Sequence, residues 1–309
     1  MHMRLRLAVL AVVVSTGAAL AEPAPYDTPD AAVADLMAAL EARDRGRILG
    51  IFGPEYEDIL STGDAEEDRE IWSGFFGDAQ QFSDVVEDPA GHATLVFGLE
   101  RHAFPFPIVL TEGTWRFDGE AAREELRLRR IGRNELAVID IIGRAPEVQA
   151  GYRNVDHDGD GVMEFAAAIL SGPDARDGLY WPDSPGTEPS PYGETIARAS
   201  LTGYDIGGSV MEPEPLQGYY FVILQGQGPA APGGAYSYMV GGNMVAGHAA
   251  AAFPAVYGET GVMSFIVGEN GIVYEADLGE ATLDTAAGIT LFDPDDLWWP
   301  VEQPIPAVE

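Results

Sequence analysis

Residues 119 to about 153 run through Ala, Glu, Leu and Arg in a pattern that favours one long helix, with Pro146 as its only proline kink. Strand-like runs flank that stretch on both sides, which limits the folds open to the chain. Ahead of it, residues 82–87, 92–97, 104–110 and 114–117 are apolar or alternating. Turn signals separate two of the pairs, at Asp88-Pro89-Ala90-Gly91 and Thr111-Glu112-Gly113. Beyond it, residues 218–224, 236–240, 244–252, 262–267 and 271–276 read as strands, and Asn270-Gly271 is a hairpin turn. The chain is therefore expected to be α+β in two parts. Helices plus a curved antiparallel sheet occupy residues 28–120, and one long helix on a small antiparallel sheet occupies 121–309.

The local signals are specific. Thr28-Pro29-Asp30 places an N-cap, a proline at the first helical position and an acid in the first turn. Val33, Leu36, Met37 and Leu40 follow at helical spacing. Residues 44–52 and 66–76 give two further short helices, and residues 22–27 read as a Pro/Ala linker. After the long helix, residues 163–170 suggest a short helix, 171–191 a loop and 194–200 another helical turn.

Composition narrows the partners. The 309 residues carry 50 Asp and Glu against 17 basic residues, all arginine, for a net charge of −33. Such a surface repels phosphate backbones, so no nucleic-acid partner is expected. Hydrophobic residues reach 46%, enough for a full core. Without cysteine, disulfides, thiolate catalysis and Cys-based metal centres are excluded. Residues 1–21 have the form of a secretory signal: Arg4 and Arg6, an apolar run from Leu7 to Val14, and Ala19-Leu20-Ala21 before Glu22. A periplasmic or secreted location follows, with no transmembrane segment after cleavage. Removing Arg4 and Arg6 leaves 15 arginines against 50 acids, or −35.

Several blocks carry a resemblance. Arg129-Arg130-Ile131-Gly132-Arg133-Asn134-Glu135-Leu136, Arg176-Asp177-Gly178-Leu179-Tyr180-Trp181-Pro182, Gly218-Tyr219-Tyr220-Phe221 and Ala231-Pro232-Gly233-Gly234-Ala235 occur in order, followed by Tyr257-Gly258 through Asp277-Leu278-Gly279. Together they resemble the bacterial domain-of-unknown-function family 2950 across essentially the whole mature chain. The N-terminal helices and meander look like a nuclear-transport-factor-2-like cone. The C-terminal helix and sheet, with Phe265, Gly268 and Gly271 near the close, resemble a type IV pilin headpiece. The family implies no activity, and likeness of fold carries none.

Four groups of residues are candidates for chemistry. Asp156, Asp158 and Asp160, followed by Gly161, sit at the spacing of a calcium loop, with Glu164 at its ninth position. Its twelfth position is Ala167 instead of Glu, so capping of a following helix is the competing reading. Arg129, Arg130 and Arg133, beside Arg127, could fork onto a carboxylate or phosphate, or pair with Glu124, Glu125 and acidic loops. Arg101 and His102, with Trp72 and Trp115, could line a pocket in the cone and supply a base. Tyr180 and Trp181, like Trp298 and Trp299, could stack on a ligand or close over a small core.

These features together suggest an exported, non-enzymatic binding or assembly protein that engages an envelope protein or polymer. One alternative is a hydrolase or isomerase with its pocket in the cone; another is a module stabilised by Ca2+. Partner, substrate and oligomeric state are not encoded in any motif.

Overall fold

The computed structural model describes residues 22–172, 175–183, 189–201, 205–206, 209–210 and 213–302. The secretory signal at 1–21 lies outside them. The chain is α+β and divides into two compact units within one helix, after Leu126.

In the N-terminal unit, α1 (Pro29–Glu41) begins where Thr28 Oγ1 accepts the Ala31 N–H at 3.1 Å. Asp44 caps α2 (Arg45–Phe52) in the same way, through the Arg47 N–H at 3.0 Å. A short α3 (Glu57–Leu60) follows. Then comes α4 (Ala65–Gln81), where Asp64 accepts from the N–H groups of Glu66 and Glu67. Each such cap is worth about 1 kcal/mol.

Strands β1 (Ser83–Glu87), β2 (His92–Phe97), β3 (His102–Ala103), β4 (Ile108–Thr111) and β5 (Thr114–Phe117) form an antiparallel sheet. Its order is β1-β2-β4-β5, with β3 also paired to β2. The single run expected over 104–110 is interrupted, because Pro105 and Pro107 have no N–H to give to a ladder. The expected linker is tied down: Tyr26 exchanges both backbone hydrogen bonds with Trp115, each at 2.8 Å.

The long helical stretch is two helices, α5 (Gly119–Gly143) and α6 (Ala145–Tyr152). The break falls at Arg144, because Pro146 cannot donate within a continuous helix but is tolerated in a first turn. The short helix expected at 163–170 is extended chain. Phe165 bridges to Met244, and β6 (Ala168–Leu170) pairs in parallel with β7 (Gly178–Tyr180) inside the expected loop. A short apolar run reads as a helix segment or as a buried strand with equal ease. Gln149 settles the matter here. Its buried amide accepts the Ala166 N–H at 2.9 Å and donates to the Ala166 carbonyl at 3.0 Å, as a neighbouring strand would.

Helix α7 (Glu194–Arg198) and the small hairpin of β8 (Asp205–Ile206) and β9 (Ser209–Val210) precede the second sheet. That sheet begins with β10 (Tyr219–Leu224). Short pairs β11 (Gly226–Gln227) with β12 (Tyr236–Ser237), and β13 (Met239–Val240) with β14 (Asn243–Met244), lead to β15 (Ala249–Pro254). Then come β16 (Met263–Gly268), β17 (Val273–Asp277), α8 (Thr282–Ala286) and β18 (Trp299–Pro300). The order β10-β15-β16-β17-β18 is antiparallel throughout. Gly271, at φ 71°, makes the expected turn between β16 and β17. Every residue of β15 is buried, and both α6 and α8 approach it. Its run of four alanines gives the covering helices room.

Candidate ligand-binding site

The N-terminal unit leaves space that the sequence pattern does not announce. Helix α1 buries Ala32, Val33, Leu36, Ala39 and Leu40 against the sheet, where Phe52, Phe104, Phe106 and Phe117 fill the concave face. Phe52 lies 4.5 Å from Phe106 and 4.7 Å from Phe117, ring centre to ring centre. Helix α4 behaves differently. Of its 17 residues only Ala79 is buried, although Ile71, Trp72, Phe75 and Phe76 give it an apolar face. Phe75 anchors it by stacking on Phe104 at 4.8 Å. Trp72 and Phe76 reach the core only in part, and Ile71 is 53% exposed.

Between α4 and the ends of α1, α2 and α3 is a cavity of about 300 Å³. Leu40, Ile48, Leu60, Trp72 and Phe76 make it largely apolar. A second concavity of about 240 Å³, backed by Phe75, Phe104 and Phe106, shares Leu60 and Trp72 with the first. The Trp72 indole is fixed between the two by donating Nε1–H to the Leu60 carbonyl at 3.3 Å. Ligand pockets combine an apolar wall with a few polar groups at this scale, about 300–1,000 Å³.

Charge at the rim is uneven in its availability. Arg43, Arg45 and Arg69 line it together with Glu41, Glu57 and Asp68. Arg45 pairs with Glu57 at 2.9 Å. Asp68 is occupied by the Ser61 hydroxyl at 2.5 Å and the Thr62 N–H at 2.6 Å, which hold its carboxyl below the usual carboxylate range. Among the described residues, no ion pair or hydrogen bond involves the side chain of Arg43, Arg69 or Glu41. Two arginines thus face solvent against one glutamate, in a chain where acids outnumber arginines almost threefold. Arg43 also holds a left-handed backbone, φ 54°, just past the end of α1. Glycine usually takes such a position because a side chain there costs about 1 kcal/mol or more.

Of the residues singled out from sequence, Trp72 lines this cavity and the others lie elsewhere. Asp156, Asp158 and Asp160 do come together, each with an oxygen within 4.8 Å of the others. Asp156 accepts from the N–H groups of Gly159 and Gly161, and the Asn243 amide donates to Asp160 at 2.5 Å. No helix follows the loop, so the capping alternative does not apply. Glu164 leaves the group and accepts the Met244 N–H at 3.0 Å; burial raises its pKa.

The arginine-rich face of α5 grips the turn at 256–263 instead of facing a cavity. Arg130 pairs with Glu259 at 2.9 Å, Arg127 donates to the Gly258 carbonyl, and the Asn134 amide donates to the Thr260 carbonyl at 2.8 Å. Glu135 accepts the N–H groups of Val262 and Met263 at 2.8 and 3.0 Å. Arg129 has partners as well. Arg133 has no hydrogen bond or ion pair among the described residues.

Arg101 and His102 sit at an exposed turn, with Arg101 at φ 58° and its guanidinium 4.7 Å above the Phe82 ring. His102 points to Glu100 at 3.3 Å, with over half its side chain in solvent. Phe104 and Phe106, next along the chain, are buried in the core. Trp181 is buried in the C-terminal core and Tyr180 packs against it, so neither offers a stacking face. Trp299, 70% exposed on β18, does stand in solvent.

One residue that motif reasoning passed over is His248, which is 4% exposed. Its ring meets Phe165 at 4.6 Å, and burial, aided by Arg153, pushes its pKa down to about 4. No spacing rule marks an isolated histidine before an alanine run.

Among the described residues, no helix is long and apolar enough to cross a membrane. No curated protein and no solved structure matches the chain. A family described as a protein of unknown function, DUF2950, matches residues 24–301, nearly all of the described chain, and the resemblance read from the sequence blocks is thereby established. The chain belongs to the DUF2950 family.

Proposed function

We propose that this is an exported, non-enzymatic binding protein that holds a small ligand in the N-terminal unit beneath α4. The observation that carries the reading is the cavity of about 300 Å³, walled by apolar side chains on a helix that buries only Ala79. An amphipathic helix normally covers its apolar face. Here part of that face borders space. Export is supported by the N-terminal signal pattern and by an acidic surface that keeps the chain dispersed. The residues suited to acid–base work support the reading too, because His102 and His248 lie in separate units, one in solvent and one in a core.

Titration with the apolar anionic dye 8-anilinonaphthalene-1-sulfonate tests it. One saturable site per chain is expected, lost in Leu49→Trp, which fills the cavity from α2. Absence of dye binding, or binding that Leu49→Trp leaves intact, would contradict the site.

A second reading, a calcium-stabilised loop in the C-terminal unit, is favoured by the convergence of Asp156, Asp158 and Asp160 within 4.8 Å. Calorimetry of chelator-treated protein should then show heat at millimolar calcium, within the range of weak extracellular sites. A flat titration would remove that reading.

A further inference from the structure

We infer that the cavity beneath α4 takes a single-headed anionic amphiphile, an alkyl chain ending in one carboxylate. The inference deepens the binding-protein reading and rests on it. The apolar wall of Leu40, Ile48, Leu60, Trp72 and Phe76 has no charged group of its own, so the inner part of an occupant is hydrocarbon. The rim fixes the sign of the outer part. Among the described residues Arg43 and Arg69 have no ion-pair partner, whereas Glu57 is held by Arg45, and Asp68 by Ser61 and Thr62. In formal charge the rim balances, Arg43, Arg45 and Arg69 against Glu41, Glu57 and Asp68, but Arg43 and Arg69 are the guanidinium groups whose donors are left open.

Open guanidinium donors suit an anionic acceptor. A dianionic phosphate would leave a charge uncompensated beside Glu41 and Asp68. A cationic head would meet two open guanidinium groups against one open carboxylate, Glu41. Guanidinium groups also match a carboxylate geometrically, offering paired N–H donors to its two oxygens. Both arginines are exposed, so the head group stays at the solvent edge while the chain enters the apolar space. Trp72, in contact with that space, is the reporter.

The test compares decanoate, decanol, decyl phosphate and decyltrimethylammonium, read by tryptophan fluorescence and calorimetry on the purified protein. Decanoate should give a saturable signal that Trp72→Phe abolishes. Its affinity should exceed that of decanol and of decyl phosphate at least tenfold, and decyltrimethylammonium should not compete. Shortening the acid from ten to eight to six carbons should weaken binding about fourfold per methylene, the equivalent of about 0.8 kcal/mol. The double substitution Arg43→Gln, Arg69→Gln should lower decanoate affinity at least tenfold and leave decanol unchanged. Because neither arginine holds another side chain, its melting temperature should match the parent's.

Equal affinity for decanol and decanoate, or preference for decyl phosphate or the ammonium compound, would overturn the carboxylate assignment while the binding-protein reading stood. Failure of all four probes, together with no dye binding, would overturn both.

Discussion

The two units use their polar side chains in opposite ways. In the C-terminal unit polar groups close the structure. Glu135 takes two backbone N–H groups of the turn at 262–263, Gln149 completes a strand-like pairing with Ala166, and the Gln227 amide donates to two carbonyls of the Pro232–Gly234 turn. The central strands β15 and β16 are then almost wholly buried. In the N-terminal unit α4 packs on the core only through half-buried Trp72, Phe75 and Phe76, with two cavities against its apolar face. Arginines there remain unpaired at the rim. A unit that spends most of its polar side chains on its own backbone is built for stability. A unit that leaves apolar wall and free guanidinium groups together is built to receive something.

The comparison can be broken, and one test of it is pH. His248 has a folded pKa of about 4 against an ordinary 6.5, so the unfolded chain binds its proton first. Stability from this group is complete above 6.5 and is lost as pH falls toward 4, about 3 kcal/mol at most. Denaturant unfolding of the C-terminal unit at pH 7 and pH 4.5 should reveal the loss, and His248→Phe should flatten the dependence; an equal slope in the variant would remove His248 as its source.

A second test is Glu135→Ala. It leaves two part-buried N–H groups without an acceptor and should cost about 2–3 kcal/mol, with dye binding in the N-terminal unit unchanged. A loss of dye binding along with stability would show that the two units do not behave separately.

The same contrast predicts that side chains of similar size differ in cost. Phe117→Ala, in a filled core, should destabilise by about 3–5 kcal/mol, whereas Trp72→Ala, beside existing space, should cost less than half as much. Similar losses would mean that α4 is packed as tightly as the sheet.

Two smaller effects sharpen the picture. Gly74 and Gly77 lie within α4 with nothing inside 4 Å of an added methyl, so each change to Ala should stabilise the helix by about 0.5–1 kcal/mol. Ser264 on β16 carries a fully buried hydroxyl without a hydrogen-bond partner. Ser264→Ala should be neutral or stabilise by up to about 1 kcal/mol; a loss would show that the hydroxyl has a partner in solution.

Much of the secondary structure was legible because it rests on local chemistry. Thr28-Pro29 marked the start of α1, Asp44 that of α2, and Asn270-Gly271 the β16–β17 turn. Misreadings arose where distant residues decide. Residues 165–170 became strand because Gln149 and Met244 offered partners from far along the chain. The four alanines of β15, poor strand formers in isolation, are strand because both faces are covered. The candidate site was the least legible part. Trp72 was visible as an aromatic residue, but the space beside it depends on how far α4 stands from α1 and α2. The unpaired state of Arg43 and Arg69 depends on which acids Arg45, Ser61 and Thr62 already hold. Neither leaves a motif.

Hydrogen exchange of the α4 amides, with and without decanoate, addresses the central claim most directly. A helix beside empty apolar space should open more easily than one packed on a core. The account predicts that the amides at 69–81 exchange faster than those of α1 and of β15–β16, and that decanoate slows α4 at least tenfold while leaving the C-terminal strands unchanged. Exchange in α4 as slow as in α1, and unaffected by decanoate, would contradict it.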